Sequence, residues 1–139
     1  MIDEHHDICA ADLSVAQFSR HIFRNVDWVV HLVHAIAAER KLGDHQSRLF
    51  RDDVLINSNI IRAASHYNTS KFVYVRTARS FPRGMQDLGT VNDPAALVES
   101  HNFPPNLESP CDWSKLVGEY ELLLLKGHIA ALQCIRPGC

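Results

Sequence analysis

Two short runs, VDWVVHLV from Val26 and KFVYVRT from Lys71, are almost continuously apolar and β-branched, and residues with helical periodicity lie between them. Strands that alternate with helical segments form a parallel sheet covered by helices. Strands with so little polar alternation are expected to be buried on both faces. Four runs fit the pattern: Asp7 to Ala10, Asp27 to Val33, Lys71 to Thr77 and Ala131 to Arg136.

The helical segments are read from their spacing. Val15, Phe18, Ile22 and Phe23 predict a short crossover helix from Ser14 to Arg24, with Ser14 as its N-cap. Leu49, Val54, Ile56, Ile60, Ile61 and Ala64 supply the apolar face of a longer helix from Gln46 to Tyr67, which Asn68 ends. A third helix, Asp112 to Leu125, is punctuated by Pro104, Pro105 and Pro110 before it and Gly127 after it. Phe81 to Pro110 then becomes a long loop, and long loops in compact domains are usually functional or mobile.

A chain of 139 residues is one domain's worth. Its net charge of -2 gives no electrostatic footprint for nucleic acid or an anionic membrane. The apolar runs fall short of a membrane span, and the first residues lack a signal-peptide pattern, so the expectation is a soluble, cytoplasmic protein. Cys9, Cys111, Cys134 and Cys139 form no CxxC pair, which argues against a zinc ribbon or a redox dithiol and for buried free thiols.

Ligands of an open parallel sheet sit beyond the carboxyl ends of its strands, which directs attention to Val33 and His34 and to Arg76, Thr77 and Ala78. Cys111 and Lys115 are four residues apart, one turn on one face if the helix begins at or just before Cys111, so Thr77, Cys111 and Lys115 can converge. From spacing alone, a strand-ending threonine and a solvated helix lysine account for the same residues.

Three stretches together resemble the extended short-chain dehydrogenase/reductases, in particular the NAD-dependent nucleotide-sugar epimerases and dehydratases. ADLSVAQFSRHIFRNVDWVVHLV is similar to that family's Asp-Leu pair, crossover helix and D-x-V-x-H-L-A-A strand. INSNIIRAASHYNTSKFVYVRTARSFP resembles N-x-x-x-x-x-N-x-x-E-A-A followed by F-V-Y-x-S-S-A-x-x-Y-P. VESHNFPPNLESPCDWSKLVGEYE resembles E-x-x-x-x-P-x-x-P-x-x-x-Y-G-x-x-K-L-x-x-E. The loop SFPRGMQ with VESHNFPP looks most like GDP-mannose and UDP-sugar 4- or 3,5-epimerases.

The resemblance implies a partial Rossmann-like α/β fold, NAD as cofactor, a nucleotide-sugar substrate and a homodimer built on two helices per subunit. It assigns Thr77 to the reacting sugar oxygen and Lys115 to the nicotinamide ribose, where its charge would also lower the pKa of a neighbouring acid. Asp12 and Leu13 match the pair that lies against adenine. Leu32, Val33 and His34 end the strand along which the cofactor runs, with Val33 and His34 in place of two small alanines.

Several positions depart from the pattern. Cys111 replaces the tyrosine that moves the hydroxyl proton, Arg76 the first of two serines, Asp53 a helix asparagine and Asp112 the glycine after the tyrosine. A thiol can ionise beside a cation such as Lys115. Cysteine nevertheless ends several ångströms short of a phenol oxygen, and a displacement of about 1 Å can cost roughly 100-fold. The plainer reading of Cys111 is a lost catalytic residue, which makes a non-catalytic relative or association module the alternative to an enzyme.

The glycine-rich turn that holds a dinucleotide pyrophosphate on a helix N-terminus occurs nowhere in the 139 residues. The chain therefore reads as a single partial domain, from the third strand onward, of a larger fold. His5, His6, His31, His34 and Asp7 suggest a metal cluster. Adjacent residues and residues three apart point to opposite faces of a strand, so packing or surface histidines are expected instead, and no metal.

Overall fold

The computed structural model describes residues 8–33, 45–75, 107 and 109–125, together with the backbone of 132–135. The elements in chain order are α1 (Ala16–Ile22), β1 (Trp28–His31), α2 (Gln46–His66), β2 (Lys71–Val75), α3 (Pro110–Leu124) and β3 (Leu132–Ile135). The three strands are parallel in the order β1, β2, β3. Val29 stands opposite Phe72, and His31 opposite Tyr74. Three of the four expected strands and all three helices are present, although α1 is shorter than Ser14 to Arg24 and α3 starts at Pro110 instead of Asp112 because Ser109 caps it. Ile8 to Ala10 are not a strand, and Ile8 is 95% exposed: an apolar residue alone does not make a strand without a neighbour to pair with.

Helix ends follow local chemistry. Ser109 caps α3 by accepting a hydrogen bond from the Asp112 amide at 3.1 Å, while its hydroxyl donates to Asp112 Oδ2 at 2.6 Å. Pro110 occupies the first turn, where its missing N–H costs nothing. Past the ends of α1 and α2, Asn25 and Asn68 take φ values of 62° and 52°, the left-handed conformation that asparagine tolerates better than most residues. Ser14 does not cap α1. Its amide and hydroxyl both donate to Asp12 Oδ1, at 2.9 and 2.7 Å, closing a turn over Asp12, and the helix starts after Val15.

The core joins Val29, Phe72 and Tyr74 to Ile60, Ile61, Ala63 and Ala64 of α2 and to Leu122 of α3. Here α2 packs on α3 and also contacts α1. β2 is buried on both faces, as its sequence suggests, but β1 is not. Val29 and His31 face the helices, whereas Trp28 and Val30 are 66% and 58% exposed, because a strand's own apolarity does not decide whether a second layer covers it. Cys9 is an exposed free thiol and Cys111 a half-buried one, so the expectation of buried thiols fails at Cys9.

Candidate active site

The first turns of α3 carry the two residues of greatest chemical interest. Because α3 begins at Pro110, Cys111 and Lys115 fall one turn apart on the same face. Lys115 is 5% exposed, with its ammonium donating to the Val33 carbonyl at 2.9 Å and lying 5.1 Å from the Tyr74 ring centre. A buried lysine is held this way because a carbonyl and an aromatic face replace part of its lost hydration. The bond also links α3 to the carboxyl end of β1, the position where a parallel sheet receives a ligand.

Beneath that pair runs a buried polar chain. His31 Nε2 lies 2.7 Å from Asn57 Oδ1, and Asn57 Nδ2 donates to the Ser114 carbonyl at 3.2 Å. The Ser114 hydroxyl lies 2.8 Å from the Cys111 carbonyl and 3.3 Å from Asp53 Oδ2. The Tyr74 hydroxyl donates to the Lys115 carbonyl at 3.2 Å. β1, β2 and α2 thus each hold the turn that presents Cys111 and Lys115. Gly118 allows this closeness, since a Cβ there would run into the Tyr74 hydroxyl.

The electrostatics oppose ionisation of Cys111. Burial pushes the thiol up, Asp53 and Asp112 add to the shift, and Lys115 offsets only part of it. Burial likewise lowers the Lys115 ammonium, against the opposing pull of Cys111 and Asp53. Lys115 therefore does not turn its neighbour into a thiolate at neutral pH.

At the sheet's edge, Leu32 and Val33 are 63% and 41% exposed beyond β1. Asp12 is fully exposed and held ionised by its bonds from Ser14, while Leu13 packs partly into the core. Asn59 of α2 fixes this turn, donating from Nδ2 to the carbonyls of Leu13 and Ser14 at 3.1 and 2.8 Å. Thr77, His34 and Arg76 lie outside the described residues, as do His5, His6 and Asp7. Cys111 and Lys115 are thus brought together, whereas Asp12 and Leu13 belong to a separate turn.

Among the described residues, no group of three histidines, cysteines or carboxylates is placed to hold a metal. His31 has another role, with its ring 5.4 Å from that of Tyr74 and its Nε2 on Asn57. Sequence reasoning missed Asn57, Ser114, Tyr74 and Gly118. The available signal was that Asp53 and Asn57 stand four apart on the α2 face that otherwise carries Ile60, Ile61 and Ala64.

A parallel sheet with crossover helices and a buried lysine one turn into the helix after β2 defines a Rossmann-like domain of the short-chain dehydrogenase type. The chain belongs to the NAD dependent epimerase/dehydratase family, whose model matches residues 2–127. No curated protein matches it. Among solved structures, a GDP-L-fucose synthetase from Naegleria fowleri bound to NADP is similar at TM-score 0.69 and 15% identity, over 91% of this chain and 42% of that one. The UDP-glucose 4-epimerase of Thermus thermophilus, in complex with NAD, gives 0.65 and 21% over 91% and 38%. A dTDP-glucose 4,6-dehydratase double mutant from Streptomyces venezuelae, with NAD bound, gives 0.68 and 19% over 91% and 36%. At these identities the likeness is one of fold, and this chain spans about two-fifths of the length of those proteins. No helix among the described residues is long and apolar enough to cross a membrane.

Proposed function

We propose that this chain is a cytoplasmic relative of the nucleotide-sugar epimerases and dehydratases that keeps the nicotinamide-ribose lysine and has lost efficient proton transfer. Its hydride chemistry is then weak or absent. The observation that carries this reading is Cys111, one turn from Lys115 at the position of the resembled family's tyrosine, as a thiol whose pKa is raised.

The residues present fit the two ends of a nicotinamide dinucleotide, while the glycine-rich turn for its pyrophosphate does not occur in the 139 residues. Lys115 offers a buried ammonium at the end of β1, Leu32 and Val33 an exposed apolar border, and the Asp12–Leu13 turn an anion held firmly in place. When bound, NAD would take up hydride from a sugar carbon. Lys115 would orient the ribose and Thr77 the sugar oxygen. The sugar hydroxyl must at the same time lose its proton, and a protonated thiol on a short side chain is a poor acceptor for it.

Titration of NAD into the purified chain and into Cys111→Tyr, followed by a hydride-transfer assay with a panel of nucleotide sugars, tests the proposal. NAD binding by both proteins with turnover only in Cys111→Tyr supports it. Efficient turnover by the unmodified chain overturns it, and failure of both to bind NAD leaves the second reading below.

That second reading is an association module. Trp113, Val117, Tyr120 and Leu124 form an exposed stripe along α3, between 38% and 67% accessible, and Phe50 and Leu55 of α2 are also exposed. Such a stripe suits a homodimer built on α2 and α3.

A further inference from the structure

We propose that the groove between α1 and α2 binds a single phosphoryl group, remote from Cys111 and independent of any hydride chemistry. Ala16 and Arg20 of α1 face Asn59, Arg62, Ala63 and His66 of α2 around a cavity of about 170 Å³. Each set recurs at helical spacing, so two basic faces meet over the small alanines. Arg20 and Arg62 have no ion pair or hydrogen bond among the described residues, although other arginines of α2 do: Arg48 and Arg51 both pair with Asp52.

Helix dipoles explain part of this arrangement. Arg20 lies in the last turn of α1 and His66 in the last turn of α2, where positive charge is favourable. Arg62 lies one turn earlier and gains little from the dipole. It stands at the glutamate of the N-x-x-E-A-A pattern, so this chain carries a cation where that pattern carries an anion. The result is a local concentration of positive charge on a protein of net charge -2.

Size and chemistry select the ligand. Pockets for drug-sized ligands usually exceed about 300 Å³, so this groove takes one tetrahedral oxyanion and leaves the body of a larger ligand outside. Two guanidinium forks suit phosphate oxygens, which they can grip through paired, charge-assisted hydrogen bonds. The phosphate can be free or carried as a monoester on a small molecule.

The test is a titration of the 139-residue chain with inorganic phosphate at constant ionic strength, followed by NMR of the arginine Nε–H signals. Glucose 1-phosphate and glucose are run in parallel. Saturable shifts at Arg20 and Arg62 with both phosphates and none with glucose are expected, and the tighter of the two shows whether a free phosphate or a monoester fits the groove better. Arg62→Glu should weaken binding at least about tenfold, and Arg62→Lys should fall between, since it keeps the charge but loses the fork. Both substitutions are at an exposed helix position, and circular dichroism verifies the fold. Absence of saturation, an equal response to glucose, or unchanged affinity in Arg62→Glu overturns the proposal.

Discussion

Asn57 fixes the tautomer of His31. Its Nδ2 donates to the Ser114 carbonyl, so its Oδ1 must face His31 Nε2, 2.7 Å away, and that nitrogen must carry the proton. His31 is 2% exposed, and burial lowers its pKa to about 4, outweighing the opposite effect of the Asn57 bond, while Lys115 lowers it further. A neutral imidazole therefore joins the sheet to the turn that bears Cys111 and Lys115.

Stability should fall as pH drops from about 6.5 to about 4. In that window the unfolded chain binds a proton on His31 that the folded chain refuses, so the contribution is full above 6.5 and lost on the way down to 4. A shift of this size corresponds to about 3 kcal/mol. Urea unfolding at a series of pH values measures it, and His31→Gln should remove most of this slope; an unchanged slope would show that other groups cause it.

Asn57→Leu should destabilise the fold by about 1–3 kcal/mol, because it strands the buried His31 N–H, whereas the Ser114 carbonyl keeps its partner within the helix. Because both partners lie at the site, NAD affinity should fall as well. A loss of stability without any change at Lys115 in NMR would mean that the chain of bonds supports only the core.

Cys111 should alkylate more slowly than exposed Cys9 at neutral pH. Asp53→Asn should speed the reaction by removing a charge that holds the thiol up, and Lys115→Met should slow it by removing the charge that partly offsets this. Iodoacetamide rates for each cysteine, followed by peptide mass spectrometry against pH, distinguish these directions. Faster labelling of Cys111 in Lys115→Met would reverse the electrostatic account.

Much of this arrangement is written in local sequence. The four-residue spacing of Cys111 and Lys115 is local, but the sequence reading starts α3 at Asp112 and overlooks Ser109, whose cap begins the helix at Pro110 and so brings Cys111 onto it. Asp53, Asn57, Ser114 and His31 are not legible as a unit, because they meet only after α2, α3 and β1 have packed. The burial of β1 is misread for a related reason: Trp28 and Val30 report an apolar strand, but the presence of a covering layer is settled elsewhere. At Ser14 two local interactions compete, and the turn over Asp12 prevails over the helix cap.

Gly118→Ala should cost about 1–3 kcal/mol, as overpacking of a filled interior usually does. The added methyl would meet the Tyr74 hydroxyl and approach Asn57 Cβ at 3.5 Å. Tyr74→Phe alone removes the bond to the Lys115 carbonyl and should also destabilise. Combined, the two should cost less than their sum, since the phenylalanine removes the hydroxyl and leaves only the tight contact with ring Cζ at 3.0 Å, and residues in contact couple in this way. Chemical denaturation of the four proteins closes the cycle, and strict additivity would show that the helix relieves the clash by shifting along β2.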